Sequence, residues 1–164
     1  MAKEFSQKRR YWIENAVYYI TSVTRKREKI FLNDYAARFM VITLMYHKFI
    51  FDYKIYAYVV MPDHFHAIIQ PTGKWNISKI MNYLKGTFSR KYNKIHKKKG
   101  HVWQKGFYDR VCRTRSSIIS AISYIHQNPV RLGLVEKMED YPYSSFWQVM
   151  SHRRSTDFID FLPL

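Results

Sequence analysis

Cysteine and long apolar runs are both scarce in this sequence. Cys112 is the single cysteine among 164 residues, which excludes an internal disulfide and a cysteine-based zinc site and is typical of a protein of the reducing cytosol. No apolar run reaches the ~18 residues of a membrane-spanning helix, and residues 1–5 lack the apolar core of a secretory signal. We therefore expect a soluble, cytoplasmic protein with no membrane partner.

Acidic residues are also few. Lys and Arg number 28 against 12 Asp and Glu, so the net charge is +16. Positive charge alone is compatible with an acidic membrane surface, but aromatic residues make up 18% of the chain and include 14 tyrosines. Because Lys and Arg bind phosphates and aromatic rings stack on unpaired bases, the composition favours a nucleic-acid partner. It does not distinguish DNA from RNA.

The sequence has no internal repeat, no linker and no Gly-rich turn of a nucleotide-binding fold. We predict a single domain over residues 1–164, with 148–164 as a peripheral tail. Strands are predicted at 16–23 and from near Lys54 to Gln70 with a break at Pro62. A strand or hairpin is predicted within 101–111, with Gly106 marking a bulge or bend. Helical segments alternate with them, which predicts an α+β sandwich with helices on one face of a mainly antiparallel sheet.

Two helices are predicted from their caps and apolar spacing, one over 35–47 after Asn33 or Asp34 and one over 77–93 after Asn76. The expected buried faces are Phe39, Met40, Ile42, Leu44 and Tyr46 in the first helix and Ile77, Ile80, Met81, Leu84 and Phe88 in the second. The opposite face of the second helix and the loop after it carry eight Lys and Arg residues and hardly an acid. A solvated face normally mixes charges of both signs, so we interpret this one as a surface that follows a nucleic-acid backbone.

A third helix is predicted to begin at Ser116 or Ser117, with Ile118, Ile119, Ile122 and Ile125 facing the core. We expect it to end close to Asn128, because Pro129 disfavours helical geometry in the residue before it.

Two histidines lie one residue apart in the stretch 58–70. Because side chains alternate along an extended strand, His64 and His66 emerge on one side and Phe65 on the other. Two neighbouring imidazoles on a rigid strand form half of a divalent-metal site. The alternative is that they are ordinary polar residues of a half-exposed strand.

Tyr124 and Asn128 lie four residues apart in the third helix and therefore share one of its faces. A tyrosine is a credible nucleophile on phosphorus where a cation polarises the phosphate. Asn128 is the third metal ligand that this spacing favours; Gln127, Asp63 and His126 are further alternatives. In a chain with many tyrosines, a packed aromatic residue is the competing interpretation of Tyr124.

Four blocks follow one another along the chain: Met61-Pro62-Asp63-His64-Phe65-His66; Asn82-Tyr83-Leu84-Lys85-Gly86; Trp103-Gln104 with Phe107-Tyr108-Asp109-Arg110; and Tyr124-Ile125-His126-Gln127-Asn128-Pro129-Val130-Arg131. No block is specific alone, but together and in this order they resemble the IS200-type single-tyrosine transposases. Within that group the chain most resembles the branch associated with repetitive extragenic palindromes (REP). The resemblance extends over about residues 12–148.

The resemblance implies a ferredoxin-like catalytic domain of the HUH-endonuclease type, with the paired histidines on its central strand. Such enzymes use Mg²⁺ or Mn²⁺ to cut single-stranded DNA next to a hairpin, and they form a 5′-phosphotyrosine and a free 3′-OH. Carried over to this sequence, Tyr124 is the nucleophile, and His64, His66 and Asn128 are the metal ligands. Relatives act with the tyrosine helix in its own chain or in a partner chain, so a monomer and a homodimer are both compatible with the sequence.

The predicted partner is single-stranded or hairpin DNA, bound through Arg25, Lys26, Arg27, Lys85, Arg90, Lys91, Lys94, Arg110 and Arg131. A non-catalytic module derived from such an enzyme, which only binds DNA or RNA hairpins, is the alternative function. A nickase of replication or conjugation uses the same histidine-pair chemistry, but we would expect it in a longer chain with helicase or primase parts.

Overall fold

The structure, a computed structural model, describes residues 13–151 and 158–162. Residues 1–12 of the predicted domain, and 152–157 and 163–164 of the predicted tail, lie outside the described residues. The regular elements are β1 (Val17–Val23), α1 (Asp34–Phe51), β2 (Tyr53–Met61), β3 (His64–Pro71), α2 (Ile77–His96), β4 (Tyr108–Cys112), α3 (Arg115–Arg131) and α4 (Phe146–Met150), with short 3₁₀ turns at Arg25–Arg27, Ile30–Leu32 and Met138–Asp140.

The four strands form one antiparallel sheet in the order β2-β3-β1-β4. The chain order β1-α1-β2-β3-α2-β4, with β1 and β3 at the centre, is the ferredoxin-like arrangement, and it confirms the predicted fold. The last strand, β4, begins after Gly106, where the sequence predicted a bulge or bend. In the segment before it, Trp103 makes only an isolated bridge to Thr24, and Gly106 has a φ of +73°, a left-handed conformation that interrupts a strand.

Helices cover both faces of the sheet. α1 and α2 pack on one face with Tyr18, Ile20 and Phe65, whereas α3 packs on the other face with Val17 and Ile68. The prediction that the helices lie on one face is therefore correct for α1 and α2 and wrong for α3. The physical reason lies in the central strands: most residues of β1 and of β3 are buried, and a strand buried on both sides needs a layer on each face.

α1 begins where predicted but buries a different face. The Asn33 side chain caps it by accepting a hydrogen bond from the Ala36 amide at 3.0 Å. Ile42 and Tyr46, expected in the core, are 59% and 62% exposed. The buried residues are Ala36, Ala37, Met40, Thr43, Leu44, His47 and Phe51. Because α1 is apolar on nearly every side, apolar spacing alone does not identify the face that meets the sheet.

α2 follows its prediction closely. The Asn76 side chain accepts a hydrogen bond from the Lys79 amide at 2.9 Å, and all five residues of the predicted apolar face are buried. Here the opposite face is strongly charged, so the spacing selects only one face for the core. The helix runs three residues further than expected, to His96.

Both ends of α3 differ from the prediction. Its cap is Thr114, whose hydroxyl accepts from the Ser117 amide at 3.1 Å while the Ser117 hydroxyl accepts from the Thr114 amide at 3.1 Å. The helix also continues through Pro129 to Arg131. A proline this close to the end removes only one hydrogen bond, and the last turn is closed by the Leu132 amide, which donates to the Asn128 carbonyl at 3.1 Å.

The segments after α3 cover the open edge of β2. The Val60 amide donates to the Tyr143 carbonyl at 2.8 Å, and the Ser145 amide donates to the Tyr58 carbonyl at 3.0 Å. Further along the same edge, the Asp160 amide donates to the Ile55 carbonyl at 2.8 Å. An edge strand paired in this way is closed to other strands. No helix among residues 13–151 and 158–162 is long and apolar enough to cross a membrane.

The cap of α3 is directly testable. Thr114→Ala removes the hydroxyl that accepts from the Ser117 amide, so we expect the free energy of unfolding to fall by about 1 kcal/mol. Ser116→Ala is the matched control: it changes a residue already inside the helix, where Ala is the better helix former, and should leave stability unchanged or slightly raised. Urea denaturation of both variants measures the difference, and equal losses would contradict the assignment of the cap.

Candidate active site

The histidine pair lies on the central strand β3, on the sheet face that α3 covers. His66 is paired with Thr21 of β1 and with Val59 of β2, so it is held between two strands. The ring centroids of His64 and His66 are 4.8 Å apart, while Phe65 between them is fully buried in the opposite core. The two imidazoles therefore share one face, as predicted from strand alternation.

His66 is buried and held by hydroxyl groups. Its Nδ1 lies 2.9 Å from the Tyr19 hydroxyl and 2.8 Å from the Thr21 hydroxyl. Burial, together with the neighbouring His64, lowers the pKa of His66 to about 3. The imidazole is therefore neutral at physiological pH, which is the form that binds a metal ion.

His64 is held by the residue before it. Its Nδ1 lies 2.5 Å from Asp63 Oδ1, and Asp63 Oδ2 lies 2.9 Å from the Arg27 guanidinium. Burial alone would raise the pKa of Asp63, but the hydrogen bonds from His64 and Arg27 outweigh it and lower the pKa below its ordinary value. Asp63 is thus an ionised acceptor between two donors.

Tyr124 projects from α3 toward the histidine pair of its own chain. The centroid of its ring lies 6.2 Å from that of His66 and 6.2 Å from that of Tyr19. The side chain is 42% exposed, so a phosphate could reach the phenol from solvent. A cationic side chain also lies against Tyr124: the guanidinium carbon of Arg131 is 5.4 Å from the centre of the Tyr124 ring. The phenol, the imidazoles and a guanidinium therefore meet within a single chain.

The candidates for a third metal ligand have different surroundings. Asn128 is buried, and its Nδ2 donates to the Tyr124 carbonyl at 3.1 Å, so Oδ1 is the atom that could act as a ligand. Gln127 is exposed, and its amide nitrogen donates to the Ser123 hydroxyl at 3.0 Å. His126 is buried on the side of the C-terminal segment, with Nε2 3.0 Å from the Ser145 hydroxyl. Burial lowers the pKa of His126 to about 4.

A comparison of the chain with known protein families is consistent with this geometry. The sequence profile of IS200-like transposases matches residues 13–128, a range that contains the histidine pair, Tyr124 and Asn128. The chain belongs to the IS200-like transposase family. Family membership makes it a DNA-processing enzyme and confirms the resemblance that the four sequence blocks carry.

Individual relatives place this IS200-like transposase near the REP-associated branch. A REP-associated tyrosine transposase of Escherichia coli K12 is 26% identical over 149 residues, covering 86% of this chain and 82% of the relative. A candidate REP-associated tyrosine transposase of Haemophilus influenzae Rd is 30% identical over 151 residues, covering 86% and 85%.

Two solved structures share the fold. A REP-associated tyrosine transposase bound to a REP hairpin has a TM-score of 0.76 and 26% identity, and the match covers 96% of this chain and 95% of that one. A candidate transposase from Deinococcus radiodurans R1 has a TM-score of 0.52 and 20% identity, with coverage of 74% and 97%; this second likeness concerns the fold alone.

Two arginines of the transposase lie at the site itself. Arg110 of β4 is paired with Tyr19 across the sheet, and its guanidinium carbon lies 5.6 Å from the centre of the Tyr19 ring. Arg131 has the corresponding position over Tyr124. Tyr19 and Thr21, which hold His66, were not identified from the sequence. Alternation along β1 predicts that Tyr19 and Thr21 share one face of the strand. Only the pairing register of β1 with β3 shows that this is the face of His66.

The other predicted DNA-binding residues form a basic surface outside the site. Arg25, Lys26 and Arg27 follow β1 and are exposed, and Arg27 connects them to Asp63. Arg90, Lys91 and Lys94 are exposed on α2. Two adjoining grooves of about 540 and 640 Å³ lie beside these residues; both are lined by Arg25 and His101, one with Lys98 and Lys99 and the other with Lys105.

Lys85 differs from the other cations of α2. Its ammonium group is part-buried and donates to the Gln104 carbonyl at 3.1 Å and to the Gly106 carbonyl at 2.5 Å. It therefore holds the loop that leads into β4, which is a structural contact in addition to the DNA contact predicted from its charge.

This structural role of Lys85 predicts a stability effect. Lys85→Met removes the donor to two carbonyls, and we expect the free energy of unfolding to fall by about 1–3 kcal/mol. Lys91→Met, on the exposed side of the same helix, should change it by less than about 0.5 kcal/mol. Urea denaturation in the absence of DNA compares the two. If both variants are as stable as the wild type, Lys85 is a surface cation like its neighbours.

Proposed function

We propose that this transposase cuts and rejoins single-stranded DNA next to a hairpin, with Tyr124 as the nucleophile. The observation that supports this most is the approach of the Tyr124 ring to the His64–His66 pair within one chain. Because nucleophile and histidines belong to the same polypeptide, one subunit contains a complete set of candidate catalytic groups. The hairpin bound in the solved structure of a REP-associated relative supports the substrate class.

The chemistry starts from the phenol of Tyr124. Its oxygen attacks the phosphorus of a backbone phosphodiester, a new phosphorus–oxygen bond forms, and the bond to the 3′ oxygen breaks. The phenolic proton is lost and the departing 3′ oxygen gains one, so the products are a 5′-phosphotyrosine and a free 3′-OH. Because the phosphodiester-type bond is retained in the intermediate, this or another 3′-OH can reverse the step on a new strand without ATP.

Mg²⁺ or Mn²⁺ is the proposed cofactor, held by His64, His66 and the Oδ1 of Asn128. The residues fit such an ion in two respects: both histidines are held through Nδ1, which presents Nε2 as the ligand atom, and burial keeps His66 neutral. Among residues 13–151 and 158–162, no group of three or more His, Cys, Asp or Glu has the geometry of a metal site; the proposed set is of a different kind, with an amide oxygen as its third donor. When bound, the ion supplies a Lewis acid that polarises the phosphate.

The arginines at the site bind the phosphate that reacts. Arg131 lies over the Tyr124 ring and Arg110 lies over the Tyr19 ring, so a phosphate that approaches the phenol meets two guanidinium groups. Arginine binds phosphate oxygens through two parallel N–H bonds. These residues orient the phosphorus toward the phenol and compensate the negative charge that accumulates in the transition state.

The basic surface outside the site binds the backbone of the hairpin. Arg25 and Lys26 line the grooves, and Arg27 in the same turn is ion-paired with Asp63 beside His64. A strand held in the grooves therefore leads past this turn toward Tyr124. Phosphate contacts of this kind fix the register of the DNA and supply a large part of the affinity.

Loss of the phenolic oxygen should abolish the covalent step. Incubated with Mg²⁺ or Mn²⁺ and a hairpin-bearing DNA strand, the wild type should form a protein–DNA adduct visible on a denaturing gel, and Tyr124→Phe should form none. Binding measured by fluorescence anisotropy should change little, because the ring and its neighbours remain. Tyr108→Phe is the matched control, since Tyr108 is equally exposed at 42% and contacts the Tyr19 ring; it should retain the adduct.

An adduct that survives Tyr124→Phe would contradict the assignment of the nucleophile. A wild type that binds the hairpin but forms no adduct with either ion would instead indicate the non-catalytic hairpin-binding module.

Removal of charge from the turn after β1 should weaken DNA binding in a salt-dependent way. Each phosphate contact contributes about 0.9 to the slope of log K against log salt concentration for a duplex. The double variant Arg25→Gln/Lys26→Gln should therefore reduce the slope by roughly 1–2. The control, Lys54→Gln/Lys137→Gln, removes the same charge from exposed positions on β2 and before the 3₁₀ turn Met138–Asp140. Equal slopes for the two double variants would exclude the turn as a contact.

A further inference from the structure

We propose that Asp63 is a positioning residue that fixes the tautomer and orientation of His64 and connects this histidine to the basic turn after β1. The proposal concerns a hydrogen-bonded series of three side chains, Arg27–Asp63–His64. Its consequence for metal binding rests on the proposed function, whereas its consequence for the tautomer of His64 does not.

The first step of the argument is the direction of the bond to His64. A carboxylate is only an acceptor, and that of Asp63 forms an ion pair with Arg27 through Oδ2 at 2.9 Å while its Oδ1 lies 2.5 Å from Nδ1 of His64. The proton must therefore be on Nδ1, which leaves the lone pair on Nε2. The hydroxyls beside His66 can donate or accept, so they do not impose a tautomer in the same way.

The second step is that Asp63 itself cannot turn away easily. Its backbone carbonyl accepts from the Thr24 amide at 2.9 Å and from the Thr24 hydroxyl at 2.8 Å. Asp63 lies in the turn between β2 and β3 rather than within a strand, so its side chain can point back to His64, which neighbouring residues of a strand cannot do. The turn therefore provides a fixed carboxylate beside the first residue of β3.

The third step is the use of both carboxylate oxygens. Oδ1 accepts from His64 and Oδ2 accepts from Arg27, so Asp63 acts on the site through His64 and not as a metal ligand itself. Arg27 is 60% exposed in its side chain, whereas that of Asp63 is 16% exposed. A DNA phosphate can therefore reach Arg27, and the same residue that contacts the backbone also orients the carboxylate behind His64.

The test for the tautomer uses metal-free protein with ¹⁵N-labelled histidine under mildly alkaline conditions. Long-range ¹H–¹⁵N spectra should show His64 protonated at Nδ1 in the wild type. In Asp63→Ala the population should shift toward the Nε2-protonated form, because no acceptor remains beside Nδ1, while Arg27→Gln, which leaves the carboxylate in place, should retain the wild-type form. A wild-type His64 protonated at Nε2, or an unchanged tautomer in a folded Asp63→Ala protein, would overturn the proposal.

The test for positioning uses Mn²⁺ alone, titrated into DNA-free protein and followed by electron paramagnetic resonance of the free ion. Loss of a partner behind a metal-binding histidine costs about 10–100-fold in affinity, so Asp63→Ala should weaken Mn²⁺ binding by that factor. Asp63→Asn should lose less, and Arg27→Gln only a few-fold, because an exposed ion pair contributes little. Asp140→Asn, a charge-matched change at an exposed position, should bind like the wild type.

The two tests separate this proposal from the proposed function. Equal Mn²⁺ affinity in the wild type and Asp63→Ala would overturn the positioning role while leaving Tyr124 chemistry intact. A wild type that binds no Mn²⁺ would overturn the proposed metal site, and the tautomer spectra would still decide whether Asp63 holds His64.

Discussion

The packing of α3 against the sheet is the contact on which the candidate site depends. Ile118, Ala121 and Ile125 of α3 are buried in one apolar cluster with Val59 and Ile68 of the sheet. Each buried isoleucine contributes about 1.5–3 kcal/mol, so the distance between Tyr124 and the histidine pair is set by core packing rather than by a polar contact between them. The Tyr124 ring and the two imidazoles can thus remain close without binding one another.

The opposite core keeps the histidines from moving. Phe65, between them, packs edge-on to Trp103 with a ring distance of 5.6 Å in the cluster formed with α1 and α2. β3 is therefore fixed from both faces and paired on both edges. Groups placed on such a strand are held more precisely than groups on a loop. The two histidines proposed as metal ligands have this rigid support, whereas the cations proposed to contact DNA lie on a turn and an exposed helix face.

The parts of the site that depend on neighbours in sequence could be predicted, and the parts that depend on pairing could not. His64 and His66 follow from strand alternation, and Tyr124 and Asn128 follow from helical spacing. The hydroxyls of Tyr19 and Thr21 reach His66 only because β1 pairs with β3 in one register, and one residue of slip would turn them to the other face. The exposed face of α1 and the helix layer on the second face of the sheet were mistaken for a comparable reason, since both depend on which surfaces meet in three dimensions.

The Lys and Arg side chains fall into groups with different surroundings. Lys85 donates to backbone carbonyls of its own chain, Arg110 and Arg131 lie over the aromatic rings of the site, and the turn after β1 faces solvent beside the grooves. Phosphate contacts carry no base information, so the exposed cations can bind a hairpin but cannot select its sequence. In the proposed function the exposed cations hold the backbone of the hairpin, while Arg110 and Arg131 hold the phosphate that meets Tyr124.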